Sequence, residues 1–349
     1  MVEDKEELTA RQKEILTRVI ESHIMTTLPV GSKTLAEHYG LNLSPASVRH
    51  EMGVLEGRGY LTHPHPSAGR MPTDKGYRFY VTQSVIEEPV SEALSDFITC
   101  QMREKIENLE SLMARISHIL SAIAEEAVLL LSPTLKELYL KELSLIPLDS
   151  KQLLAIWCST SGLVQNCLVE MEEPISYEET VRIRNLVNKE LAGEPLLSLE
   201  DELLRRIQPW RDSLERLYEQ TLQIVRESVP HWGVPRLFVE GSHYILNQPE
   251  FQDLKKLQLL IEVLEEKSSL VHILTRRSQE GKVHVAIGDQ DLSSEMWDCS
   301  LVSAPYLWHG KSVGAVGVLG PRRMPYGRMM GLVHQMAEEI SQALERWGS

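Results

Sequence analysis

The stretch SPASVRHEMGVLEGRGYLTHPHPSAGR, which begins at Ser44, changes character halfway along its length. Its first half starts with a preferred N-cap residue and has Pro45 at the first helical position, where a missing amide proton does no harm. Its second half places Pro64 and Pro66 among glycines, histidines and an arginine, which neither a helix nor a central strand tolerates. The chain must therefore form a short helix here that is followed at once by a stiff basic loop.

The short helix has two unlike faces. Its apolar face consists of three residues at helical spacing: Val48, Met52 and Leu55. Its other face carries small or hydrogen-bonding residues: Ala46, Ser47, Arg49, His50 and Gly53. Such a face lets a helix approach a surface closely, as a recognition helix does in the major groove of DNA.

The flanking residues predict two further helices before this one and a hairpin after it. Thr9 and Gln12 form a capping box ahead of an apolar stripe at helical spacing, and a second short helix follows. Residues 60–62 and the segment that begins at Met71 can pair as strands, so that residues 63–70 form the tip of a hairpin. Prolines in this tip reduce the entropy that the loop loses on docking, as expected for the wing of a winged helix.

The acidic charge of the chain is unevenly distributed. The sequence has 36 Lys and Arg against 50 Asp and Glu, a net charge of −14. The first 85 residues contain ten of each kind, so the whole acidic excess lies downstream of them. Within residues 32–80 six basic residues stand against four acidic ones. DNA binding requires a small, well-placed basic surface, so the whole-chain charge does not argue against it.

Beyond residue 85 the sequence predicts both helices and strands. Apolar residues spaced three and four apart over 94–127 predict one long amphipathic helix, and a last helix is predicted at 331–347. Strands are predicted for six apolar runs: 139–147, 152–158, 163–171, 283–287, 301–307 and 313–319. The long helix by itself would also suit a coiled-coil seam, but the strands provide a sheet on which it can lie, and we prefer the sheet.

Several functional classes are disfavoured. The acidic start is followed by no apolar stretch, and the longest apolar run, 127–131, is far shorter than the ~20 residues of a membrane span, so we expect a cytoplasmic protein. The four cysteines form no CxxC pair, which predicts reduced thiols rather than a zinc site or disulfides. The GKS at 310–312 lacks the earlier glycine of a phosphate-binding loop. We find no catalytic motif, and expect no enzyme activity, metal or cofactor.

Residues 29–81, PVGSKTLAEHYGLNLSPASVRHEMGVLEGRGYLTHPHPSAGRMPTDKGYRFYV, closely resemble the N-terminal winged-helix domain of bacterial heat-inducible transcription repressors, the HrcA family. SHYILNQPEFQDL at 242–254 and SVGAVGVLGPRRMPYGRMM at 312–330 resemble the two C-terminal motifs of that family. The resemblance therefore spans nearly the whole chain. The sequence departs from the family pattern at 287–291 and at Arg322, where threonine is usual.

The resemblance implies an α+β, multidomain protein, with a winged helix-turn-helix followed by a GAF-like α/β domain that an inserted dimerising segment interrupts. The winged-helix domain is expected at 1–85, the GAF-like domain at 86–173 and 249–349, and the inserted segment at 174–248. The resemblance further implies a negative regulator of heat-shock genes that binds an inverted-repeat operator and depends on a chaperonin for its active fold. The alternative is a GAF-like regulator controlled by a small molecule.

A dimer is expected on physical grounds too. One winged helix offers one recognition helix, too small a surface to select an operator within a genome, whereas a two-fold dimer reads a palindrome. The expected partners are thus double-stranded DNA, a second copy of the chain and a chaperonin, and no membrane. DNA contacts are predicted for residues of the helices and the hairpin: Lys33, Thr34, Ser44, Ala46, Ser47, Arg49, His50, His65, Ser67, Arg70, Lys75 and Arg78.

Overall fold

The structure of the protein is a computed structural model. It describes residues 7–39, 43–65, 68–103, 109–133, 138–160, 164–207, 215–228, 235–278, 281–288, 292, 296 and 298–347. Helices and strands are mixed along the chain, which confirms the α+β prediction. No helix in these segments is both long enough and apolar enough to cross a membrane.

The chain forms thirteen α-helices and ten strands within the described segments. In chain order they are α1 (Ala10–Thr26), α2 (Ser32–His38), α3 (Pro45–Gly57), β1 (Leu61–Thr62), β2 (Met71–Pro72), α4 (Asp74–Gln83), α5 (Glu92–Arg103), α6 (Leu109–Ala124), β3 (Ala127–Leu131), β4 (Leu140–Pro147), β5 (Gln152–Ser159), β6 (Val164–Glu170), α7 (Tyr177–Leu191), α8 (Leu199–Ile207), α9 (Glu215–Ser228), β7 (Leu237–Glu240), α10 (Ser242–Leu246), α11 (Leu254–Glu266), α12 (Ser268–Ser278), β8 (His284–Ile287), β9 (Cys299–Trp308), β10 (Lys311–Pro321) and α13 (Tyr326–Trp347).

The first part, which we call the head, consists of α1 to α4 and the β1–β2 hairpin. The capping box of Thr9 and Gln12 is present at the start of α1. The two short strands are antiparallel and pair Leu61 with Pro72, so they form a hairpin as predicted. Apolar residues of all three leading helices are buried together in its core.

The second part, which we call the body, is built on a five-stranded antiparallel sheet in the order β7-β3-β10-β9-β8. Helices α6 and α13 pack on one face, with α5 against α13, while α10 and α12 pack on the other. The inner strand β3, which lies next to the edge strand β7, sends Val128 and Leu130 into one core and Leu129 and Leu131 into the other. Because both faces of β3 are buried, its sequence is a continuous apolar run rather than an alternating one.

The body corrects the prediction of one long helix over 94–127. The structure has two helices there, α5 and α6, and Ala127 begins strand β3 instead of ending a helix. A doubly buried strand lacks the period of two that identifies a half-buried one, so its apolar residues extended the helical pattern. Strand β7 was not predicted either.

The third part, which we call the arm, comprises β4 to β6 and α7 to α9. Its antiparallel sheet has the order β4-β5-β6 and is separate from the body sheet. Helix α7 packs on β4 and α9 on β6, and both contact α8. The sequence predicted all three strands but not that, among the described residues, they form a sheet of their own. Residues 237–240 were expected within an insert at 174–248, whereas the structure places them in the body sheet as β7. Periodicity identifies a strand but not its neighbour.

The head rests on one end of the body. Helix α4 lies beside β8, and the rings of Tyr77 and Tyr326 are 6.3 Å apart. The segment after α4 then follows the start of α13, where the amide of Glu88 donates to the carbonyl of Gly327 at 3.0 Å. A Cβ atom on Gly331 would collide with the carbonyl oxygen of Glu88, so a glycine is needed for this close approach.

Candidate nucleic-acid interface

Helix α3 is held in the head by its apolar face and its N-terminal cap. The hydroxyl of Ser44 accepts a hydrogen bond from the amide of Ser47 at 3.1 Å, and Pro45 is the first helical residue. The predicted apolar residues are all buried in the head core: Val48, Met52 and Leu55. The helix is therefore fixed by one side and free on the other.

The free side of α3 carries the predicted recognition residues. They are all exposed: Ala46, Ser47, Arg49, His50 and Gly53. Within the described part of the chain, Arg49 and His50 have no hydrogen bond or ion pair, so their polar groups remain available to a ligand. An added Cβ atom on Gly53 would meet no atom within 4 Å, which shows how open this face is.

Helix α2 presents two more of the predicted residues. Lys33 and Thr34 lie in its first turn and are exposed. The ammonium group of Lys33 lies 3.8 Å from the carboxylate of Glu37, and the lysine side chain is 78% exposed. An exposed ion pair of this kind is weak, so Lys33 can exchange the carboxylate of Glu37 for another anion at little cost in free energy.

The hairpin is attached to the loop between α1 and α2. Val30 and Arg70 exchange two backbone hydrogen bonds of 2.9 Å. Gly69 permits this contact, since a Cβ atom there would lie 2.5 Å from the carbonyl oxygen of Val30. His65, a predicted contact, is exposed on the hairpin, whereas Ser67 lies outside the described residues.

The side chain of Arg70 is bound within the head. Its guanidinium lies 2.8 Å from the carboxylate of Glu56 at the end of α3, and His63 contacts the other carboxylate oxygen. Burial raises the pKa of Glu56, but hydrogen bonding by His63 and the charge of Arg70 outweigh it, and the net pKa is lowered. Arg70, whose side chain is 23% exposed, therefore ties the base of the hairpin to α3.

Two other predicted contacts are also engaged by the protein itself. The ammonium of Lys75 donates to the carbonyl of Arg58 at 2.9 Å and lies 4.4 Å from the centre of the Tyr60 ring, although the residue is exposed. Arg78 donates to the carbonyl of Ile287 in the body at 2.6 Å. Arg78 thus lies where head meets body, while α3 presents its exposed face elsewhere.

A cluster of charges that was not predicted lies between head and body. Arg322 donates through one nitrogen to Asp74 at the start of α4 and through the other to Asp298. Lys256 lies 2.5 Å from a carboxylate oxygen of Asp298. The partners are far apart along the chain, so no local pattern could reveal them; the departure at Arg322 was the one visible signal. Among the described residues, no three His, Cys, Asp or Glu are grouped to hold a metal ion.

Comparison with solved structures supports the fold. A crystal structure of a hypothetical protein, solved at 2.2 Å, is similar to the chain with a TM-score of 0.65. The similarity covers 98% of this chain and 100% of that one at 22% sequence identity.

Sequence comparison places the chain among named relatives. The family model for the HrcA protein C terminal domain matches residues 110–330. Proteins named heat-inducible transcription repressor HrcA from Geobacter sulfurreducens and Brevibacillus brevis are each 33% identical, covering 97% of this chain and 99% and 98% of their own. The same-named protein of Pelotomaculum thermopropionicum is 31% identical, with 97% of both chains covered. This is a family of transcription repressors, not of enzymes, and the chain belongs to it: the protein is a member of the HrcA family.

Proposed function

We propose that the chain represses heat-shock genes by binding an inverted repeat in double-stranded DNA as a homodimer, with the head acting as a winged helix. The observation that carries this proposal is the exposed face of α3. It combines small residues with Arg49 and His50, which have no partner among the described residues, and it lies next to a hairpin that Arg70 and Glu56 tie to the same helix. Membership of a repressor family supports the same function.

Recognition of bases follows from the chemistry of this face. Ala46 and Gly53 let the helix backbone approach the floor of the major groove. The guanidinium of Arg49 matches the two acceptors on the edge of guanine, and His50 can donate or accept. Lys33 and Thr34 at the start of α2 would bind phosphates and set the register of the helix in the groove.

The hairpin is the proposed wing. His65 lies on it and Lys75 in the helix that follows, and these residues, together with Ser67 from the same stretch of sequence, would meet phosphates or the minor groove beside the recognition helix. Arg70 supports the wing through Glu56, and it reaches DNA only by exchanging that carboxylate for a phosphate. Arg78, by contrast, would act through the contact of head with body.

We propose that the body is a GAF-like domain and that the arm is its inserted segment. In this assignment the insert is 138–228, between β3 and β7, rather than 174–248. It is supported by the pairing of β3 with β7, which brings the two ends of the arm side by side in the body sheet.

The second chain of the dimer is proposed to pack on the open face of the arm sheet. Helices cover one face of that sheet, while Ile146, Val164 and Leu168 on the other are 46%, 60% and 56% exposed. Ile146 and Leu168 both flank Leu154 of the middle strand, so these side chains form a continuous apolar row. An apolar sheet face of this kind is unfavourable in water and marks an interface. A two-fold pairing of arms would hold two heads at a fixed separation.

Dependence on a chaperonin is consistent with the topology. Strand β3 pairs with β7 and β10, as in the pairs Leu131 with Leu237 and Leu131 with Ala315. The body sheet therefore cannot close until distant parts of the chain are available, and such non-local pairing slows folding. Until then the strands of the sheet expose apolar surface, which a chaperonin binds.

Arg49→Ala tests DNA recognition. We expect a loss of about 1–3 kcal/mol in binding to a palindromic duplex selected by the wild-type protein, and nearly unchanged binding to random duplex. Fluorescence anisotropy without added metabolite measures both. Arg182→Ala, an equal charge change at an exposed position of the arm, serves as the control. Equal losses on both duplexes would contradict the role of Arg49, and wild-type binding that requires a metabolite would favour the small-molecule regulator.

Leu168→Asp tests the dimer. The charge should convert the full-length dimer to a monomer, because an unpaired carboxylate cannot be buried in an apolar interface without a large cost. Light scattering measures the mass. Leu254→Asp is the matched control, since Leu254 is 75% exposed outside the arm. A wild-type monomer, or a dimer that survives Leu168→Asp, would refute this interface.

A further inference from the structure

The charges between head and body form a single connected cluster, which we call the Arg322 clasp: Asp74, Asp298, Lys256 and Arg322. The guanidinium of Arg322 is its centre, since one nitrogen donates to Asp74 of the head and another to Asp298 of the body. Lys256 neutralises the second carboxylate from 2.5 Å. Two cations and two anions are therefore balanced, and Arg322 connects the two parts of the protein.

The surrounding backbone is shaped to receive the head-side carboxylate. Gly288, at the end of β8, has a positive φ of 67°, and a Cβ atom there would collide with the carboxylate of Asp74. One turn along α4, Arg78 donates to the carbonyl of Ile287. The head thus contacts the end of β8 at two points, so the contact fixes the orientation of the head as well as its distance from the body.

Arg322 is itself rigidly held. Its backbone amide donates to the carbonyl of Asp298 at 3.1 Å, and its own carbonyl accepts from the hydroxyl of Tyr326 at 2.5 Å. The Tyr326 hydroxyl is in turn 2.9 Å from that of Ser300. The position of the guanidinium is therefore determined by the body, and the head must align with it.

We propose that Arg322 is a positioning residue that fixes the orientation of the head, and thereby determines which separation of half-sites the dimer accepts. The inference rests on the proposed function, because it requires DNA-binding heads on a dimer. Arg322 does not touch DNA in this account. Without it, the carboxylates of Asp74 and Asp298 would face each other, and their repulsion would favour release of the head.

The expected effect is on affinity through geometry. Two rigidly held heads bind the second half-site at a high effective concentration, but only when its spacing matches. Heads that are free to move relative to the body can bind half-sites at many spacings. Each such complex has a lower affinity, because the orientation of the heads becomes fixed only on binding, at a cost in entropy. Binding of one head to a single half-site depends neither on spacing nor on the orientation of a second head, so its affinity should not change.

The test uses full-length protein and duplexes with half-sites selected by the wild-type protein, either single or paired with spacers that vary over half a helical turn. Asp74→Asn removes the charge that pairs the head with Arg322 but leaves Arg322 and Asp298 paired. Glu14→Gln is the matched control, since it removes one negative charge from an exposed site on α1. Arg322→Lys keeps the charge but cannot donate to both carboxylates as Arg does.

We expect Asp74→Asn to lower affinity for the best spacer by about tenfold and to flatten the spacing profile, with unchanged affinity for the single half-site. Arg322→Lys should fall between this variant and the wild type, and Glu14→Gln should retain the wild-type profile. Unchanged binding of the single half-site also shows that the variant heads are folded. If the wild type shows a spacing preference and Asp74→Asn retains it, the role of Arg322 is refuted while the proposed function stands. If the wild type prefers no spacing, both the role of Arg322 and the proposed dimeric repressor are refuted.

Discussion

The Nδ1 atom of His23 and the hydroxyl of Tyr77 lie 2.8 Å apart in the buried interior of the head. This bond joins α1 to α4, and Tyr77 in turn lies against Tyr326 of the body. The Nε2 atom of His23 has no partner among the described residues, so the bond to Tyr77 is the one that satisfies this ring. The pair therefore connects the core of the head to the surface on which the head rests.

Tyr77→Phe should lower the free energy of unfolding by about 1–3 kcal/mol, because it leaves a buried ring nitrogen without a partner. Urea denaturation of the full-length protein measures the change. Tyr80→Phe is the control on the same helix, since the Tyr80 hydroxyl makes no hydrogen bond with the described residues. Equal effects of the two substitutions would show that the bond to His23 contributes nothing.

His23 should make the protein sensitive to acid. Its pKa is lowered from 6.5 to about 4, chiefly by burial and also by the charges of Arg323 and Arg322, against the opposing charge of Glu250. Between these two values the unfolded chain binds a proton that the folded chain does not, so stability falls as the pH drops from 6.5 towards 4, by up to about 1.4 kcal/mol per pH unit. In His23→Gln this part of the pH dependence should vanish. Urea titrations at several pH values would show a parallel decline in both proteins if His23 were not responsible.

Glu126 should have the opposite pH dependence. Burial raises the pKa of its carboxyl from 4.5 to about 8, against the charge of Arg323. The folded chain keeps the proton in this range while the unfolded chain releases it, so the contribution to stability is present below pH 4.5 and is lost as the pH rises to 8. The stability of Glu126→Gln relative to wild type should therefore increase from pH 5 to pH 8, by about 1.4 kcal/mol per unit. A constant difference across this range would mean that the carboxyl ionises normally.

The pairing of Arg70 with Glu56 distinguishes a structural arginine from one that contacts DNA. Arg70→Ala should weaken binding to all sequences and reduce the salt slope by roughly 1 if the guanidinium meets a phosphate. Glu56→Gln removes its protein partner and should then strengthen binding, because the arginine no longer has to leave a carboxylate. If Arg70 only supports the hairpin, both substitutions should weaken binding and leave the slope of log affinity against log salt concentration unchanged. Anisotropy titrations at several salt concentrations separate the two outcomes.

Two glycines of the head provide a matched pair for a stability test. A Cβ atom on Gly76 would collide with the carbonyl oxygen of Tyr60, whereas one on Gly57 would meet nothing within 4 Å. Gly76→Ala should therefore destabilise the protein by about 1–3 kcal/mol through overpacking, while Gly57→Ala should stabilise it by up to about 1 kcal/mol through helix propensity. Thermal unfolding records the sign of each change, and a stabilising Gly76→Ala would show that α4 can move away from the hairpin.

The predictions from sequence succeeded where the cause of structure is local. The capping box at Thr9, the cap and proline at the start of α3, and the hairpin between Thr62 and Met71 all depend on a few neighbouring residues. The six predicted strands were found for the same reason, since a short run of apolar residues is a property of one segment. The bare face of α3 could be predicted because helical spacing alone separates it from the apolar face.

Features that depend on which distant segments come into contact could not be predicted from sequence. Strand β3 has no alternation because it is buried on both faces, and its neighbours β7 and β10 lie far along the chain. The strands of the arm were recognisable, but only pairing shows that they form a sheet of their own.

The roles of individual charged residues were settled in the same way. Arg70 and Arg78 are recognisable from sequence as basic residues near a recognition helix, but only the folded chain pairs Arg70 with Glu56 and Arg78 with the carbonyl of Ile287. Asp74 and Arg322 are in contact although they are 248 residues apart in the sequence. A local pattern determines the shape and polarity of a segment, whereas the partner of a charge is determined by the topology that brings two distant segments together.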